Sequence, residues 1–230
     1  MSDVYLTHLI SDCDGVLVDS ESVTLFSLLK QLRPYVPADT PLVALIQPRQ
    51  GQNFETLLTG VFLELGLAPL APEVCAAIRQ GVEIDCDRLQ CAVPGVLRAL
   101  AAINMPKAVA SNNTGARVRS ALERTGMAPL FGGRVFTPDL VGHAKPHPGV
   151  YLAAAASFGV PPGQCLVLED SVTGVTAAVA AGMTVLGFIG GGHVAAGQEA
   201  RLKAAGALLV FNDMARLPAL VAAVMDTAAV

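Results

Sequence analysis

The chain has 230 residues and a mass of 23.7 kDa, above the roughly 100–200 residues of a usual domain, which suits one domain or one domain carrying an insertion. With 53% hydrophobic and 15% charged residues and a mean hydropathy of +0.54, it is too apolar for intrinsic disorder. The net charge is −4, and the 15 basic residues are scattered rather than striped, which excludes the electrostatic footprint of a nucleic-acid binder.

Taken in chain order, the apolar run Tyr5–Ile10 ends in the acidic, glycine-bearing turn Ser11–Gly15. That pattern predicts a buried strand breaking into a loop. From Ser20 to about Leu89 the text is helical, with helices expected at Val23–Leu32, Glu55–Leu65 and Pro72–Leu89, separated by proline-rich stretches. This block, 20–91, is expected to be a helical insertion between 1–19 and 92–230.

After Pro94-Gly95 the pattern alternates. Helix Val96–Ile103, strand Lys107–Ala110, helix Gly115–Thr125, strand Val135–Phe136 and helix Gly149–Phe158 come first. Strand Cys165–Leu168, helix Val172–Ala181, strand Thr184–Phe188, helix Glu199–Ala205, strand Leu208–Phe211 and helix Met214–Ala223 follow. The fold class expected is α/β, a Rossmann-like doubly wound parallel sheet.

The apolar tract Val175–Ile189 is interrupted by Gly182 and Gly187 and is shorter than the ~20 residues of a spanning helix, so no membrane partner is expected. Met1–Ile10 does not read as a secretory signal, and a cytoplasmic location is expected. The five cysteines form no C-x-x-C pair and should be reduced thiols. Cys13 reads as a packed residue rather than a nucleophile.

In an open parallel sheet ligands sit outside the carboxyl ends of the strands. The residues there are Asp12 and Asp14, Ser111 and Asn112, Lys145, and Glu169 and Asp170. Four converging carboxylates repel one another unless a cation compensates. Hard oxygen ligands without neighbouring His or Cys favour Mg2+, which keeps waters and takes a substrate phosphate oxygen.

This points to phosphate chemistry. A carboxylate at Asp12 can attack phosphorus and form an aspartyl-phosphate. Asp14 can then act as general acid and base. Ser111, the Asn112 backbone N–H and Lys145 are the donors for the equatorial oxygens. Pro146 and Pro148 stiffen the loop that carries Lys145.

The stretch Asp12-Cys13-Asp14-Gly15-Val16-Leu17-Val18-Asp19-Ser20, followed in order by Ala110-Ser111-Asn112, Lys145-Pro146 and Leu168-Glu169-Asp170-Ser171, resembles the haloacid dehalogenase superfamily. The subgroup is the one with a helical cap after the first strand, near its β-phosphoglucomutase-like and sugar-phosphate or 6-phosphogluconate phosphatase branches. The resemblance implies an Mg2+-dependent phosphotransferase core with Asp12 as nucleophile and metal ligand. It further implies Asp14 as acid/base with its carbonyl on the metal, Asp170 as a ligand and Glu169 as an auxiliary one. Arg49, Gln52 and Asn53 resemble the substrate-facing segment of the cap, and Ser20–Ser22 and Gln90–Pro94 its hinges.

The expected activity is hydrolysis of a small phosphorylated metabolite, a sugar or sugar-acid phosphate, by a monomer or weak homodimer. A mutase is the alternative, but Thr24 stands where that pattern has histidine. A phospho-accepting signalling receiver is a second alternative, although receivers are shorter and have no helical insertion. His143 and His147 are expected on the surface and Gly187–Gly192 as a flexible loop, with His193 beside it.

Overall fold

The computed structural model describes residues 5–49, 53–89, 91–191 and 197–227. The expected positions Gln52, Gln90, Gly192 and His193 lie outside these residues. The chain divides into two compact units, Ser20–Gln90 and the sequence on either side of it.

The larger unit is built on six strands: β1 (His8–Ser11), β2 (Lys107–Ala110), β3 (Val135–Phe136), β4 (Cys165–Glu169), β5 (Thr184–Phe188) and β6 (Leu209–Phe211). Their order is β3-β2-β1-β4-β5-β6, and every pairing is parallel. The doubly wound α/β sheet expected from the sequence is therefore present. β1 lies in the middle, with Ser11 opposite both Val109 and Leu168.

The smaller unit is helical, with α1 (Ser20–Leu32), α2 (Leu42–Ile46), α3 (Phe54–Glu64) and α4 (Pro72–Leu89). Leu28, Leu32, Ile46, Leu58, Val61, Phe62, Ile78 and Val82 form its own apolar core. Asp85 is buried and accepts from the Ser27 hydroxyl at 2.7 Å and from the exposed Lys30 ammonium at 3.1 Å. The sequence reading places three of these helices to within a few residues and omits α2, whose single turn is too short to show a period.

In the larger unit the helices are α5 (Val96–Ala102), α6 (Gly115–Arg124), α7 (Ala128–Phe131), α8 (Pro138–Val141), α9 (Gly149–Phe158), α10 (Val172–Ala180), α11 (Gln198–Ala204) and α12 (Leu217–Thr227). Alternate strand residues face opposite sides of a sheet, and the two apolar clusters follow that rule. Leu9, Val109, Leu166 and Leu186 pack with α5, α6 and α12. Ile10, Ala108, Ala110, Val167 and Val185 pack with α9, α10 and α11. Ala108 and Ala110 meet Ala154 and Ala155 of α9 in the second cluster, so small residues let that helix lie close to the sheet.

Candidate active site

Three strand ends build the site. Asp12 follows β1 directly, and its N–H continues the ladder to Leu168 O at 2.9 Å. Ser111 follows β2, with its N–H on Phe136 O at 3.0 Å. Glu169 is the last residue of β4 and pairs with Gly187 of β5. The sequence reading ends that strand one residue earlier, since an acidic side chain does not read as buried strand; here Glu169 has 0% exposure.

Lys145 lies between two of these ends. Its ammonium donates to Asp12 Oδ1 at 2.8 Å and to Glu169 Oε1 at 2.6 Å, and its side chain is 3% exposed. Burial pulls the ammonium down, but the Asp12 and Glu169 carboxylates outweigh it and hold Lys145 above the usual lysine range. Burial pushes Asp12 up to about 7, against the pull of Lys145, with the Glu169 and Asp14 charges adding to the rise. An additional positive charge would restore the ionised carboxylate.

Asn112 holds the base of that lysine rather than presenting its side chain to a ligand. Its Oδ1 accepts the Lys145 N–H at 2.7 Å and its Nδ2 donates to the Lys145 carbonyl at 3.2 Å. Ser111 Oγ accepts the Asn113 N–H at 3.0 Å, and its own hydrogen is taken by none of the described residues. Asn113, which the sequence reading passes over, donates to Asp14 Oδ2 at 3.3 Å.

Asp14 sits in a tight loop. Gly15 N–H reaches Val18 O at 2.8 Å and Leu17 N–H reaches Cys13 O at 2.8 Å. Gly15 has φ +76, and a Cβ there would overlap the Asp170 carboxylate, so this position needs glycine for both conformation and space. Cys13 is buried, and burial pushes its thiol well above the ordinary value, in keeping with a packed residue.

Glu169 is enclosed by donors. Oε1 accepts from Lys145 and from the Tyr151 hydroxyl, both at 2.6 Å. Oε2 accepts the Asp170 and Ser171 N–H groups at 3.1 Å and the Ser171 hydroxyl at 3.0 Å. A carboxylate offers about four lone-pair sites, so these donors fill it. Ser171 Oγ in turn caps α10 through the Gly174 N–H at 2.9 Å. A Cβ on Gly174 would overlap the Glu169 carboxylate. Tyr151 and Gly174 here, Asn113 beside Asp14 and Gln198, whose amide donates to Asp170 O at 2.7 Å, are the residues that sequence reasoning missed; only Gly174 carries a local signal, a glycine in the first turn of a helix after an acidic strand end.

One carboxylate oxygen from each of Asp12, Glu169 and Asp170 falls within a 4.8 Å group. The donor set is hard and anionic and fits a small divalent cation. With Glu169 filled, Asp12 and Asp170 are the side chains suited to direct ligation, and Glu169 contributes charge. Asp12 Oδ2 has no donor among the described residues.

The other expected positions have these partners within their own units. In the helical unit Arg49 donates to Leu45 O at 2.7 Å and pairs with Glu64. Asn53 Oδ1 caps α3 through the Thr56 N–H at 2.8 Å. Thr24 Oγ1 lies 3.4 Å from Cys86 Sγ. His143 and His147 are exposed and stack with ring centroids 4.4 Å apart. Gly190 and Gly191 are close-packed: a Cβ would meet Asn212 O in the first case and Gly15 O in the second.

Residues 6–182 match the haloacid dehalogenase-like hydrolase family. The chain is 27% identical over 188 residues to the 6-phosphogluconate phosphatase of Escherichia coli, covering 79% of this chain and 82% of that protein. It is 32% identical over 189 residues to the "Probable pseudouridine-5'-phosphatase" of Drosophila melanogaster, covering 79% and 80%. Among solved structures, a HAD family hydrolase from Deinococcus radiodurans, with bound phosphate and sodium, superposes with a TM-score of 0.83 and 31% identity over 96% of this chain and 98% of that one. No helix among the described residues is long and apolar enough to cross a membrane.

Proposed function

The chain belongs to the haloacid dehalogenase-like hydrolase family and is a phosphatase, and from that premise we propose that it hydrolyses a small sugar or sugar-acid phosphate through an aspartyl-phosphate at Asp12, with Mg2+ as cofactor. The observation that carries this reading is the buried Asp12 carboxylate. One of its oxygens is held by Lys145, and the other has no donor among the described residues. The phosphatases among its relatives act on 6-phosphogluconate, pseudouridine 5'-phosphate and fructose 1-phosphate by name, which supports a small phosphorylated metabolite as substrate.

Asp12 Oδ2 attacks phosphorus in line as the ester bond breaks, and Asp14 gives its proton to the departing alcohol oxygen. Asp14, now a carboxylate, takes a proton from water as that water attacks the phosphoryl group on Asp12. Inorganic phosphate leaves and both aspartates return to their starting states. The Lys145 ammonium and the Ser111 hydroxyl donate to the phosphoryl oxygens throughout, so charge that builds there meets groups already fixed in place. Asp12 and Asp170 would hold Mg2+, with the Asp14 carbonyl, and the ion would supply neutralisation of the phosphate charge.

Thr24 favours hydrolysis over mutase chemistry, since the helical unit has a hydroxyl facing Cys86 where phosphate shuttling between hexose positions calls for an imidazole. The test is phosphate release from a panel of phosphorylated metabolites, including 6-phosphogluconate and phosphoglycolate, with Mg2+ and with excess chelator. Release that requires Mg2+ and is lost in Asp12→Asn supports the reading. Release that persists in Asp12→Asn overturns the nucleophile, and isomer formation from a hexose 1-phosphate with a trace of bisphosphate overturns the hydrolase.

A further inference from the structure

The peptide of Asp170 is held from both sides. Its N–H donates to Glu169 Oε2 at 3.1 Å. Its carbonyl accepts from the side-chain amide of Gln198 at 2.7 Å. The ladder of α10 starts one residue later, with Val175 N–H on Ser171 O, so the Asp170 carbonyl falls outside it. Gln198 opens α11, 28 positions along the chain from Asp170. Its amide is oriented in turn by Arg201, whose Nε and Nη2 donate to Gln198 Oε1 at 3.1 Å and 2.7 Å. With Oε1 occupied by a guanidinium, Nε2 can only point at an acceptor.

We propose that Gln198 is a positioning residue for the cation site: its amide fixes the Asp170 peptide and so keeps the Asp170 carboxylate beside Gly15, where it joins Asp12. Asp170 is partly buried at a strand-to-helix junction, and on the side facing Gly15 its carboxylate occupies the space a Cβ would fill. A small rotation of the 170–171 peptide would swing that carboxylate out of the group. Gln198 supplies the clamp on the carbonyl, opposite the clamp that Glu169 supplies on the N–H. Outer partners of metal ligands typically carry 10–100-fold in metal affinity.

The inference rests on the reading of Asp170 as a cation ligand, and the experiment separates the two. Isothermal titration of Mg2+ into the full chain, without substrate, compares the native protein with Gln198→Met and Gln198→Ala. Methionine keeps the length of the side chain and removes the donor without adding charge. Both variants are expected to bind Mg2+ about tenfold more weakly, to melt within about 2 °C of the native chain when Mg2+ is absent, and to lose most of the rise in melting temperature that Mg2+ gives the native protein. Native affinity in Gln198→Met overturns the positioning role even if Gln198→Ala is weak, because packing alone would then explain the site. A native chain that takes up no Mg2+ overturns the cation reading itself.

Discussion

Tyr151 and Lys145 meet on one oxygen: the phenol and the ammonium each donate to Glu169 Oε1 at 2.6 Å, with the ammonium also 4.9 Å from the centroid of the phenol ring. The phenol takes one lone pair of that oxygen and Lys145 the other, while a second ammonium hydrogen reaches Asp12 Oδ1 at 2.8 Å.

Tyr151→Phe retains the ring and removes the hydroxyl, leaving a fully buried acceptor short of one donor. The expected loss of stability is roughly 1–3 kcal/mol, read by urea unfolding. Turnover should fall with it, because Glu169 then draws Lys145 away from Asp12. An unchanged unfolding midpoint would show that the hydroxyl is not needed to satisfy Glu169.

The two aspartates of the first loop should separate in a burst experiment. With p-nitrophenyl phosphate the leaving group needs no proton, so Asp14→Asn still transfers phosphate to Asp12 and then stalls. One equivalent of nitrophenolate is expected, followed by a steady rate lowered about 10²–10⁴-fold. Asp12→Asn should give no burst. A burst in Asp12→Asn would place the nucleophile elsewhere.

Gly174→Ala places a methyl group where the Glu169 carboxylate lies, and that carboxylate is tied to fixed donors on both oxygens. Overpacking of this kind costs roughly 1–3 kcal/mol. A lower melting temperature and a lower turnover are both expected. A melting curve that matches the native one would mean that the strand end yields more easily than its hydrogen bonds imply.

In the helical unit the Ser27 hydroxyl, and then the Lys30 ammonium, hold the Asp85 carboxyl below its ordinary value of 3.8. A depressed carboxylate stabilises the fold fully above its unfolded value, and that contribution is lost as the pH falls through the folded value. Asp85→Asn should therefore melt below the native chain at neutral pH, with the gap closing as the pH drops through and below the ordinary carboxyl value of 3.8. A gap that stays constant with pH would remove the ionised carboxylate from the explanation.

The sheet was legible because buried parallel strands read as short apolar runs punctuated by glycine and proline, and the alternation with helices fixed where their ends must gather. Asp12, Ser111, Lys145 and Glu169 were visible for that reason. The bonds that organise them were not, since Tyr151 and Gln198 act on Glu169 and Asp170 from 18 and 28 positions away and sit in helices whose sequences look ordinary. The extent of β4 was missed for a related cause: Glu169 is tolerable in a buried strand only because five donors surround it. α2, α7 and α8 span too few residues for a periodic signal. The helical unit was least legible in function, and there Asn53 caps its own helix while Arg49 bonds the Leu45 carbonyl and the Glu64 carboxylate.

The strand that leads to Asp12 precedes the other five strands in the chain, yet it occupies the middle of the sheet, flanked by segments that begin at Lys107 and Cys165. Until Cys165–Glu169 has been synthesised, β1 has an open edge and Asp12 has only part of its surroundings. Nascent chains arrested before that segment should be inert towards phosphate esters, so catalytic competence waits for β4. Until then the growing chain carries an exposed apolar edge of the kind that chaperones recognise.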